Sequence, residues 1–370
     1  MNIEKGKISG SQLLLSITAS IQGAIYLLSY TANITKHDTW LAVLSGCIIF
    51  APVALTYALL SERFAGKNLV QIAKVVLGPY WGSAIALLYF QSTLMVLAFH
   101  LRYLAIFTLY SMPETPLVFI LVIFTAVCAY AVAKGLEVLA RLSFSFVAVS
   151  FLLTTISSLL LLKNMHASNF LPLLEISFKD FIHGVHIIAL IPIGTILSFF
   201  LMIMPYQNDS RQAVKNTLLG LLLGSLIFLG VAVRNTAVLG NSESMYAHPS
   251  LAATRLIDIG NLLTRMDILL IIGQILLSFY LCSVIYYATV LSLSQLLCLR
   301  TYTPLIIPIG GIAVTLSMIT ADSLVDLTDL AQNSALMFFS PIIFIVPPLL
   351  LLIAKLRGLP DPKSESGKLT

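Results

Sequence analysis

The sequence predicts an all-α integral membrane protein of ten transmembrane helices, built as two inverted five-helix halves with broken helices one and six. Three observations carry that expectation. The 370 residues are 58% hydrophobic and only 10% charged, with a mean hydropathy of +0.97, a balance foreign to ordinary soluble domains. The apolar residues form ten continuous runs rather than an alternating pattern, and roughly 20 such residues are the helical length that crosses about 30 Å of hydrocarbon. Runs one and six each carry a helix-breaking element near mid-depth, Gly23 in the first and Pro192 with Gly194 in the sixth.

In chain order the expected spans cover residues 9–32, 40–60, 81–110, 117–133, 142–162, 183–204, 216–233, 268–297, 303–319 and 336–354. Polar residues mark the joins. Lys36 lies between spans one and two, Arg63, Lys67 and Lys74 between two and three, and a short segment joins three to four. Lys134 and Arg141 separate four from five, Lys163 and Lys179 five from six, and Arg211 and Lys215 six from seven. Arg234, Arg255 and Arg265 fall between seven and eight, Arg300 between eight and nine, and Asp322, Asp326 and Asp329 between nine and ten. Lys355 and Arg357 follow the last span.

With the N-terminus inside, fourteen of the twenty-one basic residues lie on the inner side and six on the outer, while Arg102 falls within span three. Basic residues are retained on the cytoplasmic side, so both termini are expected there. The net charge of +5 follows from that bias, with at most four basic residues in any loop or tail and no patch suited to nucleic acid. The first span is too long, and lacks the small-residue cleavage site, for a removable signal peptide. Cys47, Cys128, Cys282 and Cys298 stand at unrelated spacings, which suggests neither a disulfide framework nor a metal site.

The chain reads as one transmembrane domain over residues 1–358, with halves 9–162 and 183–354, and a disordered cytoplasmic tail over 359–370. The piece 67–77 is amphipathic and would lie along the inner membrane surface; 170–182 and 250–263 would do the same outside. The alternative for each is a helix packed over its own bundle.

The two halves align at Gln22-Gly23-Ala24-Ile25 and Ile193-Gly194-Thr195-Ile196. Pro192 removes a backbone donor, and Gly23 and Gly194 tolerate unwound dihedrals. Broken helices present N–H groups at one half-helix end and C=O groups at the other, a pairing that holds a carboxylate and a cation. A zwitterionic amino acid fits such a site, with Gln22, Gly23, Ala24, Pro192, Gly194, Thr195 and Ile196 around it. The competing reading is that the glycines allow close helix packing and Pro192 makes a plain kink. Spans three and eight would flank the site and offer polar groups, Ser92 and Ser283 among them, which serve either as ligand contacts or as helix-to-helix contacts. The surrounding Ile21, Ile191 and Ile196 suit a small apolar ligand side chain.

His100 and Arg102 are the ionisable groups well inside a span as drawn. Arg102 sits about two turns from Tyr110 and is expected to be structural, pairing with an outer acid such as Asp267. No span as drawn contains Asp, Glu or Lys, so the carboxylate relay of many proton-coupled pumps is missing, while sodium coupling through backbone carbonyls stays open. No Walker loop, HExxH, GxSxG or His/Cys cluster occurs, and the expectation is a protein that is not an enzyme and carries no cofactor. His183 and His186 are the one hint of a membrane-embedded acyltransferase.

From Lys7 to about Arg357 the chain resembles the B-subunit permease-like proteins of bacterial spore germinant receptors, within the amino acid, polyamine and organocation transporter superfamily. The likeness rests on Lys7-Ile8-Ser9-x-x-Gln12-Leu13, Gly23-Ala24, His248-Pro249-Ser250-Leu251, and the run from Asp258 through Gly260, Asn261 and Arg265 to Asp267 ahead of span eight. The resemblance implies a nutrient-sensing subunit of the spore inner membrane that binds a small germinant, an amino acid above all. It implies partners as well: a larger A-subunit and a C-subunit lipoprotein, in contact with membrane lipid and with no nucleic acid. It also implies ligand contacts near Gly23, Ser92, Ile196 and Cys282. The chain departs from that family at Tyr30, in place of a proline, and at Ser198 and Phe199, in place of an acid. A gradient-driven amino-acid transporter is the alternative function.

Overall fold

The computed structural model describes residues 4, 6–257 and 266–360. Among them the backbone is helical through ten crossings, and the one β-type pairing is an isolated parallel bridge between Ile8 and Gln207. Eight helical stretches are long and apolar enough to cross a membrane by themselves. Leu117–Ala133, at 17 residues, and the interrupted first span supply the other two. Large apolar side chains such as Ile48, Phe119, Phe144, Leu159 and Ile307 stand exposed on the bundle's outside, where lipid is their natural solvent, so this is an integral membrane protein.

Span one is Gly10–Gly23, a 3₁₀ turn Ile25–Leu28 and a second helix Ser29–Thr35. Spans two to five are Thr39–Arg63, Pro79–Ser111, Leu117–Ala133 and Leu136–Leu160. Span six is Phe178–Phe200. Spans seven to nine are Ala213–Leu239, Met266–Leu296 and Ile306–Thr320, and span ten is Ser334–Leu356. Local chemistry sets the ends. Ser9 and Gln12 close a reciprocal capping box at the start of span one, with bonds of 2.8 and 3.2 Å, and Asn68 with Gln71 does the same for the short helix Leu69–Leu77, so the first orphan N–H groups of both helices are satisfied.

The inverted repeat is visible in the placement of the non-spanning helices. Leu69–Leu77 lies between the second and third spans of the first half, and Pro249–Thr254 between the second and third of the other. Five crossings per half put these two helices on opposite faces. Below, the face carrying Pro249–Thr254 is called the far face, opposite the N-terminus.

Leu69–Leu77 packs on the bundle. Leu69, Val70, Ile72, Ala73 and Val76 are buried, and the helix crosses the start of span three so closely that a Cβ on Gly82 would stand 2.4 Å from Lys74 Cα. Residues 170–182 do not form one helix: a 3₁₀ turn Ala167–Phe170 ends there, and Phe178 already opens span six. Of 250–263, residues 250–254 belong to Pro249–Thr254. The rest from 258 on, with most of the Asp258–Asp267 signature run, lies outside the described residues, as do 361–370 of the expected tail.

Span seven departs from its expected limit. It continues past Val233 through Arg234 to Leu239, then tightens into a 3₁₀ segment Gly240–Met245. A hydropathy reading stops at the first charge, but a guanidinium can stay inside a helix bundle when neighbours accept its hydrogen bonds. Ser157 and Asn235 do so here. His100 and Arg102 are therefore not the sole ionisable groups within the crossings: Arg234 is buried, and so is Glu243 just beyond it.

Candidate functional site

The α-helix of span one ends at Gly23, and Ala24, at φ −95° and ψ 5°, leads into the 3₁₀ turn. The interruption leaves the Gly23 carbonyl outside the regular ladder, where it accepts a 3.1 Å hydrogen bond from Gln274 Nε2 of span eight. The same amide reaches Ser278 Oγ at 3.2 Å. Gly23 has no room for a side chain, since a Cβ there would lie 2.7 Å from the Leu277 carbonyl oxygen and 3.0 Å from Leu281 Cβ. At this glycine spans one and eight approach closely.

Span six is interrupted differently from the expected unwound stretch. Ala189–Thr195 is a π-helical segment around Pro192: the missing proline N–H shifts the ladder to wider turns instead of opening it. The Thr195 hydroxyl donates back to the Ile191 carbonyl. A Cβ on Gly194 would meet Ile343 Cγ2 at 2.8 Å, the Ala189 carbonyl oxygen at 2.9 Å and Phe50 Cε2 at 3.0 Å. Both glycines thus sit at helix crossings.

The remaining sequence-derived candidates divide. Gln22 is buried, its Oε1 accepting from Ser150 Oγ and its Nε2 without a partner among the described residues. Ala24, Ile196, Cys282 and Ser283 are buried within the bundle. Ser92 donates to the Leu88 carbonyl at 2.7 Å and, with Thr195, Tyr89 and Ser198, borders a void of about 10 Å³, about one water in size. Thr195 and Ile191 also border a void of about 30 Å³ beside Tyr26 and His100.

A cavity of about 80 Å³ lies in the far half of the bundle between spans one, three, five, seven and eight, under Pro249–Thr254. Span one contributes the residues just past its interruption, Tyr26 and Ser29 among them. Tyr26 stacks on Tyr103 of span three at 3.7 Å and 16°, and the stack continues to Phe107 at 6.2 Å. His248 closes it edge-on, 5.0 Å from Phe107, with Nδ1 2.9 Å from the Tyr103 hydroxyl. Burial, with the positive field of Arg255 behind it, lowers the His248 pKa to about 4, so this wall is uncharged at neutral pH. Gln274, which caps the span-one interruption, lines the cavity as well.

Arg234 of span seven forms another part of the wall and is 4% exposed. Its Nε and Nη2 donate to Asn235 Oδ1 at 3.3 and 2.9 Å, and Nη1 donates to Ser157 Oγ at 2.9 Å. Among the described residues no carboxylate lies within 4 Å of it. Reading the sequence by hydropathy assigned Arg234 to an outer loop. The apolar run Ala237-Val238-Leu239 after it was the available signal that the helix goes on.

Arg102 is buried near the far face, as expected of a structural residue, but its partner is the Asp322 carbonyl, at 3.1 Å from Nη2. Asp267 instead pairs with Arg255 at 3.5 Å. The Arg255 guanidinium also lies over the Tyr110 ring at 5.0 Å and donates to its hydroxyl at 2.6 Å. His183 and His186 are tied to the Gln332 carbonyl and Ser340 Oγ, each at 2.8 Å from Nε2. No cluster of three or more His, Cys, Asp or Glu side chains placed to hold a metal occurs among the described residues.

Ten spans in inverted halves, with interruptions in spans one and six and a small cavity beside the first, define a transporter-like membrane protein. Solved structures share that fold: Mhp1, a nucleobase-cation-symport-1 family transporter, has a TM-score of 0.67 at 15% identity, covering 94% of this chain and 78% of that one. MhsT in complex with L-phenylalanine gives 0.68 at 13% identity, with 95% and 99% covered. Residues 7–324 match the sequence profile of the spore germination proteins, and the chain belongs to that family. Spore germination protein KB of Bacillus subtilis (strain 168) is 26% identical over 313 residues, 83% of each chain. Spore germination protein B2 of the same organism is 24% identical over 235 residues, 62% of each.

Proposed function

We propose that this chain is the germinant-sensing B-type subunit of a spore germination receptor, which binds a small molecule within its bundle and passes the signal to partner subunits without catalysing a reaction. The observation that carries the reading is the family match over residues 7–324, from the N-terminal cap through span nine. In this reading the protein resides in the spore inner membrane with both termini cytoplasmic, and works beside an A-subunit and a C-subunit lipoprotein. An amino acid is the natural germinant. In this reading the glycine interruptions at Gly23 and Gly194, with Gln22, Ala24, Pro192, Thr195 and Ile196 beside them in the chain, and with Ser92 of span three and Cys282 and Ser283 of span eight, are the core that responds to it.

A receptor is favoured over a sodium-coupled transporter by one contact. In transporters of this architecture, unwound carbonyls coordinate the coupling ion. Here the carbonyl freed at the span-one interruption accepts from the Gln274 amide, so a neutral donor stands where a coupling ion would have to be held.

The test compares equilibrium binding of radiolabelled amino acids with their uptake, using the purified chain in liposomes under imposed sodium and proton gradients. The expected result is binding without accumulation. Gradient-driven accumulation by this chain alone would make it a transporter.

A further inference from the structure

We infer that the cavity in the far half of the bundle is a carboxylate-binding site anchored by Arg234. The inference rests on the reading of this chain as a small-molecule receptor subunit, and it specifies the class and orientation of the ligand.

A guanidinium inside a membrane bundle is costly to keep without a counter-charge, and such groups line ligand or ion pathways when they are not paired. Arg234 is buried and has five N–H donors in a planar fork, of which the contacts to Asn235 and Ser157 engage three. Those acceptors are neutral. Glu243 is the acid whose charge Arg234 feels, yet the two lie more than 4 Å apart, and one Glu243 oxygen is occupied by the Thr236 hydroxyl at 2.8 Å. Two guanidinium N–H groups remain for a group in the cavity that Arg234 lines.

The rest of the wall selects against other ligands. Among the described lining residues none is acidic, so no side chain offers a counter-charge to a cation. His248 on the loop side is neutral, which leaves Arg234 as the one full charge among the described lining residues. The stacked Tyr26 and Tyr103 and the aliphatic Leu277 present an apolar surface beside it. A volume of about 80 Å³ has room for several water-sized groups, which suits a carboxylate with a short apolar body. The ligand's acid end then points toward span seven and its body toward the Tyr26–Tyr103 stack, next to the Gln274 amide.

The experiment measures binding to the purified full chain in nanodiscs for three pairs differing only at the acid group: L-alanine and L-alaninamide, L-valine and L-valinamide, isobutyrate and isobutyramide. At least one acid is expected to bind tenfold or more tightly than its amide, the range for a charge-assisted hydrogen bond being about 10- to 100-fold. Arg234→Gln should remove the preference and Arg234→Lys should keep part of it. Binding of no acid, equal binding of acid and amide to the wild type, or an unchanged preference in Arg234→Gln overturns the inference. The acid–amide comparison uses the wild-type chain, so it decides even where a variant fails to fold. Spores that germinate equally well with an acid and its amide would overturn this site and leave the receptor reading standing. Acid-selective binding by a chain that also concentrates solute would do the reverse.

Discussion

Replacing Gly23 by alanine separates two roles for the interruption in span one. The added methyl would stand 2.7 Å from the Leu277 carbonyl oxygen, 3.0 Å from Leu281 Cβ and 3.3 Å from the Leu277 carbonyl carbon. The first approach is roughly 0.8 Å inside the ~3.5 Å separation at which such atoms attract. Two of the three atoms are span-eight backbone, so no rotamer change relieves the contact and the helices must part. Overpacking of this kind costs about 1–3 kcal/mol. Separation also stretches the 3.1 Å bond from Gln274 to the Gly23 carbonyl, worth about 1 kcal/mol, while alanine's better helix propensity returns up to about 1 kcal/mol. The net expectation is a loss of about 1–3 kcal/mol, read as a fall of a few degrees in the thermal midpoint of the purified protein. Gly311→Ala is the control: nothing lies within 4 Å of its added carbon, so it should melt at or slightly above wild type. A Gly23→Ala protein that melts like wild type but no longer binds ligand would refute the packing argument and turn that glycine face toward the ligand.

Two further outcomes follow from buried polar groups. Arg102→Lys should retain more folded protein than Arg102→Leu, because a lysine can still donate to the Asp322 carbonyl whereas leucine orphans it; protein level by immunoblot checks this, and an abundant Arg102→Leu with altered ligand preference would contradict it. His248 should make the fold acid-sensitive: its pKa of about 4 in the fold lies below the ordinary ~6.5, so the unfolded chain binds the proton first. Stability is then full above about pH 6.5 and falls by about 2–3 kcal/mol on going to pH 4.5. Thermal midpoints across that range should drop more for the wild type than for His248→Gln, and parallel curves would exclude the effect.

Apolar runs and loop charges made the ten crossings and inverted halves legible, because a helix in lipid must satisfy its own backbone and advertises itself by length. What hydropathy could not reach was the interior packing. Gly23 and Gly194 were legible as special positions, but whether a glycine opens a cleft or admits a neighbour depends on what stands 3 Å away, here Leu277 and Ile343. Pro192 announced an interruption, and only the three-dimensional chain distinguishes a π-helical turn from an unwound one. Arg234 was hidden for the opposite reason: a charge reads as the end of a span unless its acceptors, one of them Ser157, 77 residues earlier, are known to be beside it.

The geometry also indicates how a ligand could be felt beyond its cavity. Gln274 belongs to two places at once: its amide closes the span-one interruption at the Gly23 carbonyl, and its side chain lines the cavity with Arg234. Tyr26, two residues past Ala24, is stacked on span three at Tyr103, which in turn touches His248 of the far-face loop. A molecule held between these groups therefore meets spans one, three and eight through side chains that also join span one to its neighbours, and span seven through Arg234, which is tied to span five at Ser157. Occupancy alone shifts no equilibrium, since a ligand moves a two-state protein only by its difference in affinity for the two states. That difference can arise where Gln274 must choose, because an amide turned toward a bound carboxylate no longer donates to Gly23, and the contact that pins span one to span eight is the one given up.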